Sequence, residues 1–223
     1  MPVARSIVFC DVDETLIACK SLFDFQRYYL AAKCGDAGAR RAERIRRGLL
    51  AQAAAGGLRE HTNREYYRGW AGERAAEVEQ VAERWWNVRS GQPGFLIAAT
   101  LAELAGHRAA GAAIVLVSGS FPAVLRPVAE HVGATRILCT VPQLSAGRFT
   151  GRVDGAPMIG EAKREAVRRV LRSCPSADPT RCFAYGDHVS DLPMLAEVGH
   201  PVVVGASPEV LRGVPHARAL PAR

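Results

Sequence analysis

Two pairs of carboxylates stand out in this chain of 223 residues. The first is Asp11 and Asp13, one residue apart in Cys10-Asp11-Val12-Asp13-Glu14-Thr15. They follow Ile7-Val8-Phe9, an apolar, partly β-branched run suited to a buried strand of a parallel sheet. Ligands of open α/β sheets sit just outside the carboxyl ends of the strands. Residues i and i+2 of an extended segment point the same way, so Asp11 and Asp13 face one site. Thr15 adds a hydroxyl able to fix the turn by bonding backbone or a carboxylate. Two readings are open here. One is a pair of solvated aspartates capping a turn. The other is an all-oxygen site in which a divalent metal, best Mg²⁺, relieves the repulsion between two close carboxylates.

The second pair is Asp187 and Asp191 in Gly186-Asp187-His188-Val189-Ser190-Asp191, again after a strand-like run, Cys182-Phe183-Ala184-Tyr185. One helical turn brings residues four apart together, so this pair could complete an oxygen-rich metal site with Asp11. Between the two pairs, the apolar run 113–117 leads into Ser118-Gly119-Ser120, with Pro122 marking a helix start. A hydroxyl with approachable backbone N–H groups at a helix N-terminus suits a phosphate or similar anion; a plain helix cap is the alternative. Lys163 opens another helix in Gly160-Glu161-Ala162-Lys163, and the chain's other lysines are Lys20 and Lys33. A compact ammonium fits between carboxylates and a phosphoryl group, whereas an isolated helix lysine is ordinarily solvated.

The elements that must position these groups follow from periodicity. Strands are expected at 113–117, 137–140, 182–185 and 201–204, alternating with helices, one of them over about 95–109. Residues 143–157, punctuated by Gly147, Gly151 and Asp154-Gly155, read as a β-hairpin projecting from the sheet and forming part of the site's rim. The tail from about Pro208 to Arg223 reads as a short helix and an extended end. Between the first strand and Pro93 the pattern is helical. Ser21 is placed to cap a helix with Leu22, Phe25 and Tyr29 on one face, ended by Gly35. Another is expected over about 37–54 and more helix over 60–88, interrupted near Gly69 and Gly72. This stretch holds all 3 tryptophans, and its aromatics read as core. The expectation is a doubly wound, Rossmann-like α/β core (1–18 and 93–223) with an inserted all-helical cap (19–92).

Bulk properties narrow the function classes. The chain is 48% hydrophobic and 23% charged, ordinary for a globular protein. No run approaches a membrane span, and the start of the chain leaves no room for a signal peptide before the first strand. The 6 cysteines show no CxxC spacing, and read as buried thiols of a reducing cytoplasm rather than metal ligands. The formal net charge of +7 includes a patch at Arg40, Arg41, Arg44, Arg46 and Arg47. A nucleic-acid surface would interleave aromatics there; the patch reads as a solvated helix face.

The four elements, in order, resemble the four motifs of the haloacid dehalogenase-like hydrolases: Asp-Val-Asp-Glu-Thr at 11–15, Ser118 in Val-Ser-Gly-Ser, Lys163, and Gly-Asp-His-Val-Ser-Asp at 186–191. The resemblance spans nearly the whole chain. It is closest to the phosphoserine-phosphatase-like branch (subfamily IB), whose helical C1-type cap lies between the first and second motifs. It implies a Mg²⁺-dependent phosphatase acting on a small phosphorylated metabolite. Asp11 would be the nucleophile that becomes an aspartyl-phosphate, and Asp13 the general acid and base. Mg²⁺ would be held by Asp11, the Asp13 backbone carbonyl and Asp187, with Asp191 as ligand or support. Ser118, Gly119 and Lys163 would hold the phosphoryl oxygens. A phosphotransferase using the same intermediate, or a non-catalytic binding protein of this fold, are the alternatives.

One departure concerns substrate. Phosphoserine phosphatases place a glutamate nine residues after the nucleophile, where it meets the substrate ammonium; here that position is Lys20. The reversed charge argues against phosphoserine and favours a second anionic group or a polyol, provided Lys20 faces the site. His188, inside the fourth motif, is a further candidate for substrate contact, a bland loop side chain being the other reading.

Overall fold

The computed structural model describes residues 6–205 and 207–222. The chain begins with β1 (Ile7–Cys10), followed by the helices α1 (Ser21–Ala54), α2 (Arg59–Arg68), α3 (Ala75–Arg89) and α4 (Ala98–Ala109). Next come β2 (Ala113–Ser118), α5 (Pro122–Val132), β3 (Arg136–Cys139), and a hairpin of β4 (Val141–Ser145) and β5 (Arg148–Asp154). The last third holds α6 (Glu161–Ser173), β6 (Phe183–Gly186), α7 (Leu192–Leu195), β7 (His200–Val204), α8 (Pro208–Gly213) and β8 (Arg218–Leu220).

Six of the strands form one parallel sheet in the order β3-β2-β1-β6-β7-β8. The chain winds outward from β1 through β2 to β3, then returns to β6 on the other side. The order therefore reverses between β1 and β6, the place where an open sheet parts to admit a ligand. Phe9 sits opposite Val115 on one side and Ala184 on the other, so the carboxyl ends of these strands are level.

The period-2 alternation of the strands divides the core into two faces. Ile7, Phe9, Val115 and Val117 pack with Val167 and Val170 of α6, Met194 and Leu195 of α7 and Val210 of α8. Val8, Cys10, Ile114 and Leu116 pack with Leu104 of α4, with Val124, Leu125 and Val128 of α5, and with the helical insertion. Helices on both faces of a parallel sheet explain why its inner strands are apolar on every residue.

The insertion between β1 and β2 is built of helices, joined by segments in which Arg74 and Leu96 form isolated bridges. Cys34 and Gly35 depart from helical geometry inside α1, and Gly35 has φ of 55°, a left-handed value that glycine adopts without a Cβ penalty. The expected pair of helices is thus one chain segment kinked at that point. Its aromatics are core, as expected: Phe25 stacks on Trp70 at 5.6 Å, and Trp70 meets Phe121 at 5.7 Å and Phe149 at 6.2 Å. Phe121 is the residue before α5, so the insertion is clamped onto the loop that follows β2.

Several expectations are corrected. The hairpin forms where expected but does not line the rim of the site; it braces the insertion. Phe149 exchanges backbone hydrogen bonds with Gly72 and Glu73 (2.8 and 2.9 Å), and the Ala75 N–H reaches Gly147. The extended end of the tail is a sixth strand, because β8 pairs with β7 and satisfies an otherwise open edge; Arg223 lies outside the described residues. Helix α4 starts at Ala98 rather than 95, because Leu96 bridges to Ile17. Ser21 is the first residue of α1 rather than its cap, and its hydroxyl is used elsewhere. Cys34 is exposed at the kink, whereas Cys10 and Cys182 are buried. Among the described residues, no helix is long and apolar enough to cross a membrane.

Candidate functional site

Asp11 leaves the end of β1 and donates its backbone N–H to the Tyr185 carbonyl of β6 at 3.0 Å, which joins the two strand ends. The chain then turns sharply. The Val12 carbonyl accepts from the N–H groups of Leu16 (2.9 Å) and Ile17 (3.0 Å), and Glu14 takes φ of 60° to allow it. A left-handed value costs an ordinary residue about 1–2 kcal/mol. Here that strain sits in the turn that aims Asp11 and Asp13 into one cavity.

Lys163 projects from the first turn of α6. Gly160, with φ of 56°, provides the bend into that helix. The ammonium is buried and bridges Asp11 Oδ1 at 2.8 Å and Asp191 Oδ1 at 2.7 Å. Asp191 is fully buried, and its second oxygen accepts the backbone N–H groups of Asp187 (3.3 Å) and His188 (3.1 Å). Both of its oxygens are therefore engaged. Thr15 donates its hydroxyl to Asp187 Oδ1 at 2.9 Å, tying the β1 turn to the loop after β6.

Asp11, Asp187 and Asp191 each bring a carboxylate oxygen within 4.8 Å of the others. Their electrostatics are unbalanced. Burial, with Asp191 and Asp187 adding repulsion, lifts the Asp11 carboxyl well above the usual range despite Lys163. Burial and Asp191 raise Asp187 to about 6. Asp191 stays low: burial opposes its charge, but Lys163 and the backbone donors outweigh it. Burial likewise opposes the charge of Lys163, and Asp11 and Asp191 more than restore it. One buried ammonium thus serves three clustered carboxylates, a surplus of hard anionic oxygens that fits a hard divalent cation.

Asp13 faces the same cavity, with Oδ1 accepting the Ser21 N–H at 3.0 Å. Burial raises its pKa, and hydrogen bonding from Ser21 holds it back in part. Its side chain is outside the carboxylate cluster. The Ser21 hydroxyl donates to Ser120 Oγ at 3.0 Å, and the Ser120 N–H donates to Ser118 Oγ at 3.1 Å. A buried chain of contacts therefore runs from Asp13 to Ser118.

The Gly119 carbonyl is held from the insertion. Asn63 Nδ2 and Tyr67 Oη, one turn apart on α2, each donate to it at 3.0 Å. Because that carbonyl can only accept, the Asn63 amide nitrogen must face it. The peptide between Gly119 and Ser120 is thus fixed at both ends. A Cβ at Gly119 would press on Ile159 Cγ1 at 3.3 Å, so the bare backbone borders the cavity.

The remaining candidates sit at the cavity wall. Lys20 lines it, but its ammonium pairs with Glu14. His188 lines it too, with Nδ1 accepting from the Ser190 N–H at 3.1 Å; burial and then Arg59 lower its pKa to about 4. Sequence reasoning missed Ser21 as a partner of Asp13, and missed Asn63, Tyr67 and Arg59. Their only signal was position on helical faces: Asn63 and Tyr67 stand four apart, and nothing local tells what that face meets. In the basic patch, Arg40, Arg41, Arg44 and Arg47 are exposed on α1, while Arg46 makes two 2.8 Å bonds to Glu43.

A probable phosphatase of Mycobacterium tuberculosis is 29% identical over 216 residues, covering 91% of this chain and 70% of the relative. A Bordetella pertussis protein of unknown function superposes with a TM-score of 0.84 at 24% identity, covering 99% of this chain and all of that one. A phosphoserine phosphatase described as a phospho-aspartyl intermediate analogue shares the fold, with a TM-score of 0.71, 17% identity and coverage of 96% and 93%. The family model of haloacid dehalogenase-like hydrolases matches residues 8–196, and the chain belongs to that family.

Proposed function

We propose that the chain is a Mg²⁺-dependent phosphomonoester hydrolase that works through an aspartyl-phosphate on Asp11. The observation that carries this reading is the buried Lys163 ammonium bridging Asp11 and Asp191 beside Asp187, at the point where the sheet order reverses. Such a cluster stores anionic charge around a site for a phosphoryl group. The likeness to a probable phosphatase supports it.

Asp11 and Asp187 would hold Mg²⁺ together with the Asp13 carbonyl. Asp191, with both oxygens engaged, would position Lys163 and the 187–188 backbone. When bound, Mg²⁺ supplies positive charge that ionises Asp11 and offsets the charge of the phosphoryl oxygens. Ser118 has its oxygen accepting from Ser120, which leaves its own proton free for a phosphoryl oxygen. Lys163 and the Gly119 N–H complete the cradle.

In the first step an Asp11 carboxylate oxygen attacks phosphorus and the ester P–O bond breaks. The leaving oxygen takes a proton from Asp13. In the second, Asp13 takes a proton from water as the water oxygen attacks the same phosphorus, the Asp11–phosphorus bond breaks, and inorganic phosphate leaves. Ser21 N–H makes Asp13 Oδ1 an acceptor, so the proton is carried on Oδ2. The burial that raises the Asp13 pKa favours the protonated form that the first step needs.

We assign residues 19–92 as a cap closing the cavity over a core of 1–18 and 93–223; the bonds from α2 to Gly119 support the closed arrangement. Phosphoserine is expected to be a poor substrate. Beyond Asp11 and Asp13 no acidic side chain among the described residues lines the cavity to receive its ammonium. The test is phosphate release from a panel of phosphomonoesters, with Mg²⁺ and with chelator, by the native chain and Asp11→Asn. Release that needs both is expected; release that needs neither refutes the reading.

A further inference from the structure

The cavity, about 360 Å³, begins at Asp11 and Lys163 and reaches the surface beside Leu50, which is 39% exposed. Several polar side chains of the lining already have protein partners. Lys20 pairs with Glu14, Arg59 donates to Ser190 Oγ at 3.1 Å, and Asn63 Nδ2 is taken by Gly119. Asn63 Oδ1 is buried without a partner, and most of the rest of the lining is carbon. Leu22 and Phe23, at the start of α1, face the cavity together with Leu49, Leu50 and Ala53 from beyond its kink. Tyr66 also lines it, with its hydroxyl donating to the Leu22 carbonyl at 2.8 Å. A hydroxyl-rich or charged leaving group would lose water against this wall and gain few partners.

On the footing of the phosphatase reading, we propose that the preferred substrates are monophosphate esters of unbranched aliphatic alcohols. The chain runs from the phosphoester past Leu22 and Leu49 to the mouth at Leu50. Aliphatic side chains dominate this wall, and its aromatic rings are already in contact with each other, Phe23 meeting Tyr66 edge-on at 6.3 Å. This replaces the anionic or polyol leaving group that Lys20 alone would favour.

The test is kcat/KM for n-alkyl phosphates from ethyl to octyl with Mg²⁺, beside glycerol and sugar phosphates. Calorimetric binding of the matching n-alkylphosphonates runs in parallel. Each buried methylene should raise kcat/KM about 4-fold, and phosphonate affinity in step, until the chain reaches the mouth. Leu49→Asn and Leu50→Asn, checked for cooperative unfolding, should flatten that slope to under about 2-fold per methylene, judged against the same transfer value. Release of phosphate with no gain along the series, or a preference for the glycerol and sugar esters, overturns the aliphatic proposal and leaves the phosphatase reading standing. Phosphonate affinity that climbs with length while no ester is hydrolysed supports the aliphatic site and removes the phosphatase reading. Flat affinity without hydrolysis removes both.

Discussion

The backbone N–H of Ser21 lies 3.0 Å from Oδ1 of Asp13, so the first residue of α1 holds the proposed acid and base. The main chain makes this bond, and the Ser21 hydroxyl, which donates to Ser120, also holds the Asp13 pKa back. The hydroxyl can be removed alone, and the N–H together with it.

Ser21→Pro deletes both the N–H and the hydroxyl, at a helix position where proline is well tolerated, and Ser21→Ala deletes only the hydroxyl, so the difference between the two variants reports the N–H. The proline variant should lose about 10- to 100-fold in kcat for alkyl phosphates, whose leaving oxygen needs a proton. It should lose little for p-nitrophenyl phosphate, whose leaving group does not. The alanine variant should cost about 1 kcal/mol of stability and a smaller loss of kcat than the proline variant. Equal losses on both ester types would remove the orienting role of Ser21.

Thr15 touches Asp187 and no proposed phosphate ligand. Thr15→Val keeps the shape of this buried side chain and removes its donor. The Mg²⁺ concentration for half-maximal phosphate release should rise about 10-fold, as befits a group that orients a metal ligand. An unchanged Mg²⁺ requirement would show that Asp187 needs no such support.

Lys163→Met leaves Asp11 and Asp191 without their shared counter-charge. In chelator, urea unfolding should show a loss of about 3–5 kcal/mol. Saturating Mg²⁺ should recover part of that loss without restoring turnover. A variant as stable as the native chain in chelator would contradict the charge balance described for the cluster.

His107 links pH to stability away from the site. Its Nε2 lies 2.8 Å from Tyr185 Oη, its ring packs on Phe183 at 4.2 Å, and Glu103, Arg218 and His200 surround it. Burial lowers its pKa, Glu103 opposes this, and Arg218 and His200 add to it. The unfolded chain therefore takes the proton first. This contribution is intact above the unfolded value of about 6.5 and is lost as pH falls from there toward the folded value. Chemical denaturation from pH 8 to pH 5 should show that decline, and His107→Gln should make it shallower, leaving the share of His188, whose pKa burial lowers to about 4. A decline unchanged in the variant would assign it to other groups.

The residues that carry the proposed chemistry were legible because each sits at a strand end or helix start, where local pattern fixes direction. Asp11, Asp13 and Ser118 follow apolar strands, Lys163 opens a helix, and Asp187 and Asp191 are one turn apart. The α/β alternation and the helical character of 19–92 were legible for the same reason. What escaped was tertiary. The pairing of Lys20 with Glu14 depends on a left-handed residue in a five-residue turn, and the reach of Asn63 and Tyr67 to Gly119 depends on how the insertion docks. The aliphatic wall needs the kink at Gly35, which places Leu49 and Leu50 on the same cavity as Leu22 and Phe23. Strand β8 is three residues long and partly exposed, too short for periodicity to register.

The account stands or falls on a phosphoryl group passing through Asp11. The chain would be mixed with an alkyl phosphate and Mg²⁺, quenched during turnover, and reduced with borohydride, which converts an acyl-phosphate to an alcohol. Peptide mass spectrometry should then find homoserine at position 11, absent when substrate or Mg²⁺ is withheld. Vigorous phosphate release with aspartate intact at that position, and undiminished release by Asp11→Asn, would contradict it.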